Sequence, residues 1–327
     1  MSDSPLGDMT QPGPILAAVS RSFFLSLRFL PAPVRPPLCL GYLLARISDT
    51  IADTAHVALS SRLGALDTFE LSLTDGASPT AGVGLEDFPA QIPGERDLLR
   101  NASRVVDCFH AQPTDVRREI QRLMSLIISG QRNDLTRFGN AAQGRPEALE
   151  NASELEAYTY LVAGCVGEFW TRICHLRVPH FARVPIEDLL SLGKDFGQGL
   201  QMVNILRDLP ADLAAGRCYL PGDALAELGI SPETLLGTPT AARPLVQYWV
   251  GRAKRWLEQG AVYEEGIRGM RLRFSVSLPR RLGLQTLEAL EKTPPLETSG
   301  RVKIGRKAVL RCAARCFFGA LLPRRLR

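Results

Sequence analysis

Two pairs of aspartates, each spaced four residues apart within an apolar stretch, constrain the fold of this chain more than any other feature. Asp49 and Asp53 form the first pair, and Asp208 and Asp212 form the second. On a helix, side chains four residues apart project from the same face. The apolar residues before each pair indicate helices that are largely buried, where two like charges cost free energy unless a cation or a donor lies between them. The pairs therefore predict inward-facing carboxylates in a helical fold.

These carboxylate pairs suggest a metal site. Mg²⁺ prefers one or two carboxylates together with phosphate oxygens, so two pairs that face each other across a cavity could hold magnesium bridged to a diphosphate. The alternative is a pair of solvated helix faces, and the apolar surroundings argue against it. Pro210 lies inside the second pair and predicts a kink or a helix end between its two aspartates.

The remaining chain also has a helical pattern. Apolar residues recur at helical spacing, as in Ile15, Val19 and Phe23, and no run of strands alternates with helices. We expect an all-α, single-domain helical bundle around a central cavity. Its predicted divisions are a flexible N-terminus over 1–12, the helical domain over 13–300, and a basic, apolar C-terminal segment over 301–327.

Composition predicts a cytoplasmic protein. No apolar run reaches the ~18 residues that a membrane span needs, and the segment Met1–Pro5 does not begin a secretory signal. The seven cysteines are odd in number and include no CxxC pair, which is typical of reduced thiols.

The C-terminal segment is basic. Residues 301–327 contain nine Lys/Arg and no Asp/Glu, whereas the whole chain has a net charge of +5. Apolar residues interleave with Arg311 and Arg315, a pattern that suits an interfacial helix on anionic lipid, at the inner face of the membrane. A last helix that packs on the core and ends in a basic, solvated stretch fits equally well. Nucleic acid is not expected as a partner, because the aromatic content is low and no nucleic-acid motif is present.

Ordered motifs give the chain a family resemblance. It resembles the squalene and phytoene synthase family in the order and spacing of its blocks, which are Ser20–Phe23, Tyr42–Asp53, Tyr158–Gly167, and Gln201–Asp208 with Gly216–Pro221. A short stretch over 301–306 is similar to one that many bacterial members carry near the C-terminus. The resemblance thus covers most of the chain and implies an isoprenoid-synthase-type fold.

The resemblance also implies site residues. The implied magnesium ligands are Asp49, Asp53, Asn204, Asp208 and Asp212. The implied substrate-binding residues are Ser20, Arg21, Ser22, Phe23, Tyr42, Arg46, Gln201, Asn204, Arg207 and Arg217. Tyr158 and Tyr160 are the implied catalytic tyrosines, which could stabilise a carbocation or transfer a proton. Taken alone, Ser20–Ser22 is also a common helix cap, and the arginines could be ion-paired with the neighbouring aspartates.

The implied activity is the head-to-head condensation of two farnesyl diphosphates, through the cyclopropyl intermediate presqualene diphosphate, followed by reduction with NADPH to squalene. Three positions depart from relatives: Ala52 and Ala211 replace acidic residues that squalene synthases commonly carry, and Leu161 replaces a tyrosine. The alternatives are a phytoene or dehydrosqualene synthase, a presqualene diphosphate synthase, and a non-catalytic, membrane-associated assembly subunit of the same fold.

Overall fold

The structure, a computed structural model, describes residues 13–20, 23–74, 85, 88–90, 92–139, 145–297 and 304–321. These residues are mostly helical, and the predicted all-α fold is confirmed. The α-helices are α1 (Pro14–Ser20), α2 (Phe23–Phe29), α3 (Arg35–Asp53), α4 (Leu59–Ser72), α5 (Pro93–Arg100), α6 (Ala102–His110), α7 (Thr114–Phe138), α8 (Ala152–Thr159), α9 (Cys165–Arg177), α10 (Ile186–Ala214), α11 (Gly222–Glu227), α12 (Pro239–Gly266), α13 (Met270–Lys292) and α14 (Arg306–Leu321). The shorter elements are a π-helix (Tyr160–Gly164) and two 3₁₀ turns (Leu235–Gly237 and Pro295–Glu297).

The chain divides into two compact units. Met1–Leu135 and Phe169–Phe181 form the first unit, whereas Thr136–Glu168 and Ala182–Arg327 form the second. The proposed single-domain boundaries at residues 13 and 300 remain a prediction, and the segment 1–12 lies outside the described residues.

Helix α3 forms the centre of the first unit. Prolines occupy its first turn, where their missing N–H groups cost nothing and their fixed φ favours the helix. The apolar side chains of Leu40, Leu44, Ile47 and Ile51 are fully buried. The helix ends at Asp53, and the next residue, Thr54, has a non-helical backbone conformation. The first aspartate pair therefore lies in the last two turns.

Helix α10 has the same role in the second unit. Glu187 and Asp188 lie in its first turn, where their negative charges interact favourably with the positive end of the helix dipole. The helix continues through Pro210 to Ala214, so the expected helix end between the two aspartates is wrong, and the alternative, a kink at this position, stays a prediction. A proline removes only one hydrogen bond of the helix, and the neighbouring turns retain theirs.

A short parallel strand pair follows α10. Gly216 has a φ of +86°, a left-handed conformation that lets the chain turn out of the helix without a steric clash. Strand β2 (Arg217–Pro221) then pairs with β1 (Glu147–Leu149). The sequence did not predict this pair, because three residues are too few to show an alternating pattern.

Among the described residues, no helix combines the length and the hydropathy that a membrane-spanning segment requires.

Candidate functional site

The first aspartate pair lies at the negative end of a helix dipole. Asp49 and Asp53 occupy the last turns of α3, where unpaired carbonyls add negative charge to that of the two carboxylates. Arg62 of α4 donates to the carbonyl of Ala52 at 2.9 Å, which satisfies one of these terminal acceptors. This end of α3 therefore attracts cations both through its side chains and through its backbone.

Asp49 is held by two polar neighbours. Gln131 of α7 donates from Nε2 to Asp49 Oδ1 at 2.6 Å, and Arg46 Nη1 lies 3.9 Å from Oδ2. Desolvation by burial raises the pKa of Asp49 to about 6, the charge of Asp53 adds to the increase, and Arg46 and Gln131 oppose it. The side chain nevertheless keeps 45% of its surface exposed, so the desolvation is incomplete and a ligand can reach the carboxylate.

Arg46 is positioned from a second side. Its Nη2 donates to Oε1 of Glu95 in α5, and the Glu95 side chain is largely buried. The guanidinium thus connects a buried carboxylate to Asp49. The ion pair with the neighbouring aspartate is the alternative that the sequence left open for this arginine, and the structure contains it.

Three substrate-binding candidates meet where α1 ends and α2 begins. The Tyr42 hydroxyl donates to the carbonyl of Val19 at 3.0 Å, and its ring centroid lies 5.7 Å from that of Phe23. Ser20 is buried at the end of α1, where its hydroxyl donates to the carbonyl of Leu16. Tyr42 therefore anchors this segment to α3. The candidates Arg21 and Ser22 lie outside the described residues.

The second aspartate pair lies on the last turns of α10. Gln201, Asn204, Asp208 and Asp212 share one helix face by their spacing. Asn204 Nδ2 donates weakly to Gln201 Oε1 at 3.4 Å, and this amide pair is exposed. As in α3, the carboxylates stand at the negative end of the helix dipole.

Arginines hold both carboxylates of this second pair. Arg207 donates from Nε and Nη2 to the two oxygens of Asp208, at 2.9 and 2.7 Å. Arg217 Nη2 donates to Asp212 Oδ1 at 2.9 Å. Guanidinium groups also bind phosphate oxygens in this bidentate manner, so the same arginines could exchange a carboxylate for a diphosphate.

The tyrosine candidates lie beside a tightly packed π-helix. Tyr160 begins this element, and π-helical turns are frequent at functional sites. A Cβ on Gly197 of α10 would come within 2.2 Å of the Ala163 carbonyl oxygen, and one on Gly167 within 1.9 Å of the Gly193 carbonyl oxygen. Glycine at 197 and 167 therefore permits the close approach of α10 to the π-helix and to α9.

Tyr158 has an aromatic partner that the sequence did not indicate. Its ring stacks on Tyr219 of β2, with centroids 4.7 Å apart, and Phe138 meets Tyr219 edge to face at 5.4 Å. Tyr219 is buried in this cluster. A π face that serves a carbocation could therefore come from Tyr219 as well as from Tyr158.

The donor chemistry of each pair fits magnesium. The described residues contain no cluster of three or more His, Cys, Asp or Glu side chains that could hold an ion by themselves. Magnesium does not require one, because one or two carboxylates and phosphate oxygens suffice. The predicted arrangement of the two pairs across a cavity stays a prediction.

Two contacts of this site were missed from the sequence. Gln131 and Glu95 both act on the first aspartate pair, yet they lie on α7 and α5, far from it along the chain. A glutamine on an amphipathic helix gives no sequence signal beyond that of an ordinary amide.

The chain is similar in sequence to known proteins. Residues 16–308 match the family model described as Squalene/phytoene synthase. A phytoene synthase of Rhodobacter capsulatus is 28% identical over 232 residues, which cover 71% of this chain and 57% of that protein. The squalene synthase ERG9 of Gibberella zeae is 24% identical over 284 residues, which cover 85% and 58%. The chain thus spans less than two thirds of the length of either relative.

A solved structure shows the same fold. TcSQS in complex with the ligand E5700 matches with a TM-score of 0.78 at 21% identity, and the match covers 94% of this chain and 86% of that chain. The predicted isoprenoid-synthase-type helical fold is confirmed.

Proposed function

The chain belongs to the squalene/phytoene synthase family, and we propose on that basis that it condenses two prenyl diphosphates head to head. The observation that carries the proposal is the pair of carboxylate clusters, each in the last turns of a helix and each beside an arginine. A departing diphosphate needs both cations and donors, and this combination supplies them.

The aspartates are proposed to act as metal ligands. Asp49 and Asp53 would hold Mg²⁺ at the end of α3, and Asp208 and Asp212, with Asn204, would hold it at the end of α10. Bound magnesium supplies the Lewis acid that stabilises the charge of the leaving diphosphate. Gln131 keeps one oxygen of Asp49 in a fixed direction, which leaves its other oxygen for an ion.

The arginines and tyrosines are proposed to act on the substrate. Arg46, Arg207 and Arg217 would bind phosphate oxygens once metal ions compete for their carboxylate partners. Tyr158 and Tyr160 would serve the carbocation or a proton transfer. Phe23, Tyr42 and Gln201, with the Ser20–Ser22 segment, complete the proposed substrate contacts.

The substrate is proposed to be farnesyl diphosphate and the product squalene. The aspartate-first motif over 49–53 and the Ser20–Phe23 block are more similar to squalene synthases than to phytoene synthases. NADPH supplies a hydride for this product, and none of the described residues is assigned to its binding. The alternatives are phytoene or dehydrosqualene synthesis and a reaction that stops at presqualene diphosphate.

A product analysis tests this proposal. With Mg²⁺ and farnesyl diphosphate alone, we expect presqualene diphosphate or its breakdown products, and with NADPH we expect squalene. Deuterium from labelled NADPH should appear once per squalene molecule. A C30 or C40 polyene whose yield ignores NADPH would move the assignment to the carotenoid-type products, and presqualene diphosphate that persists with NADPH would restrict it to the first half-reaction.

Two substitutions test the metal ligands separately. Asp49→Asn and Asp208→Asn each remove a ligand charge with little change in shape, so turnover should fall by orders of magnitude while the helical circular dichroism persists. Near-normal turnover in either variant contradicts the role of that pair. Absence of turnover in the wild-type protein itself would instead favour the non-catalytic assembly subunit.

A further inference from the structure

Helix α14 packs against α13, within the second unit, through one face only. Cys312, Cys316 and Ala320 are buried along this inner face. Arg273 of α13 donates to the carbonyl of Ala320 at 2.5 Å, and the rings of Phe274 and Phe317 meet edge to face. The helix is therefore seated on α13, as one of the two interpretations of the C-terminal segment predicted.

The opposite face of α14 mixes exposed apolar and basic side chains. At ~100° per residue, its exposed residues fall within about half of the helix circumference. They are Arg306, Lys307, Leu310, Arg311, Ala314, Arg315 and Phe318. Leu310 and Phe318 are 65% and 66% exposed, among the most exposed large apolar side chains of the described residues.

The charge of this outer face has one sign. The helix contains no acidic residue, and the sequence after it adds Arg324, Arg325 and Arg327. A basic face attracts any polyanion, but the phosphates of nucleic acid offer no apolar surface on which leucine and phenylalanine side chains could be buried. An anionic bilayer accommodates both kinds of side chain, because basic residues bind its headgroups while apolar residues enter the boundary with the acyl chains.

We infer that the outer face of α14 docks on the surface of an anionic lipid bilayer, with Leu310 and Phe318 inserted between the headgroups. The inner face remains packed on α13, so the helix lies flat on the membrane as part of the folded protein. The inference is independent of the catalytic proposal, because it rests on α14 alone and is measured without turnover.

Point substitutions test this better than truncation, which would remove the buried side chains of Cys312 and Cys316 and uncover the surface of α13. The full chain is sedimented with vesicles of phosphatidylcholine alone, or of equal parts phosphatidylcholine and phosphatidylglycerol. We expect binding to the anionic vesicles only. Arg311→Gln with Arg315→Gln should weaken the partition coefficient about tenfold or more, given about fivefold per basic residue. Leu310→Ser with Phe318→Ser should weaken it about tenfold through lost apolar burial.

Leu71→Ser is the matched control. Leu71 is 65% exposed on α4, but it follows the acidic residues Asp67 and Glu70, so its substitution should leave vesicle binding unchanged. Circular dichroism confirms that each variant is folded. Wild-type binding by the Leu310 and Phe318 variant would overturn the insertion. Equal binding to both vesicle types would overturn the charge recognition, and preferential binding to double-stranded DNA would identify another occupant.

Discussion

The hydrogen bond between Gln131 and Asp49 gives the first proposed metal ligand a fixed direction. Gln131 is 6% exposed, and its Oε1 is buried without a partner among the described residues. Gln131 thus donates a hydrogen bond to the carboxylate while its own side-chain carbonyl oxygen accepts none from the described residues. This arrangement is more typical of a functional contact than of a purely structural one.

Gln131→Met removes the donor while keeping the shape of the side chain. The hydrogen bond favours the charged form of Asp49, so its loss should raise the pKa of Asp49 further and weaken metal binding about tenfold. A titration with Mn²⁺ followed by electron paramagnetic resonance measures this. Gln121→Met is the control on the same helix, because Gln121 donates to the backbone carbonyl of Leu73 and should leave metal affinity unchanged. Equal affinity in both variants contradicts the positioning role.

Asp49 also predicts a pH-dependent stability of the metal-free protein. Its folded-state pKa of about 6 lies above the ordinary value of 3.8, so ionisation destabilises the fold above pH 6, and this cost disappears as the pH falls to 4. Asp49→Asn should therefore raise Tm at pH 7.5 and have little effect at pH 4. The gain should be at most about 1 kcal/mol, because the side chain is partly exposed and screened.

Thermal unfolding in the presence of a chelator measures this effect. Asp67→Asn provides the comparison, because Asp67 is exposed and ion-paired with Arg132 at 2.6 Å and its loss should not stabilise the protein. A destabilised Asp49→Asn variant at pH 7.5 would show that the neighbours of Asp49 compensate its burial.

At the scale of elements, the end of a helix recurs as the site of each aspartate pair. Both α3 and α10 place two carboxylates in their last turns. The negative end of the helix dipole disfavours these carboxylates when no metal is bound, and it favours a bound cation. Helix α10 is held by close packing against both the π-helix and the start of α9.

Gly197→Ala tests this packing. Its Cβ would stand 2.2 Å from the carbonyl oxygen of Ala163, a backbone atom that cannot rotate away, so α10 must shift. We expect a loss of about 1–3 kcal/mol in the free energy of unfolding, measured by urea denaturation. Gly64→Ala in α4 has no atom within 4 Å of its Cβ and should gain about 0.5–1 kcal/mol. A stabilised Gly197→Ala variant would contradict the close approach.

At the scale of the whole molecule, the cysteines report the integrity of the core. All seven are free, and six of them are buried. Burial raises the pKa of Cys165 and Cys218 to about 12 and that of Cys174 as well, which suppresses the reactive thiolate. The prediction of reduced thiols stays a prediction.

A thiol titration with Ellman's reagent uses this difference. In the native protein we expect rapid reaction of Cys108 only, because it alone of the seven is not fully buried. Denaturation should release all seven. Cys108→Ser should abolish the rapid phase and lower the number of thiols that react after denaturation by one. A rapid phase that survives this substitution would indicate that a buried thiol becomes accessible in solution.

The sequence alone determined the helical class of the fold, the family, and the helix faces of Asp49, Asp53, Asp208 and Asp212. These features are local: a helix repeats every 3.6 residues, so spacing along the chain specifies which side chains share a face. For the same reason, the sequence suggested that Arg46 and Arg207 could pair with neighbouring aspartates.

Only the tertiary structure decided which distant residues act on these faces. Gln131 reaches Asp49, Glu95 reaches Arg46, and Tyr219 stacks on Tyr158, across separations at which periodicity carries no information. It also decided that α10 continues through Pro210, because the rest of the helix is held by its packing. The division of α14 into a seated face and an exposed one likewise depends on α13, since composition alone fits a packed helix and an interfacial helix equally well.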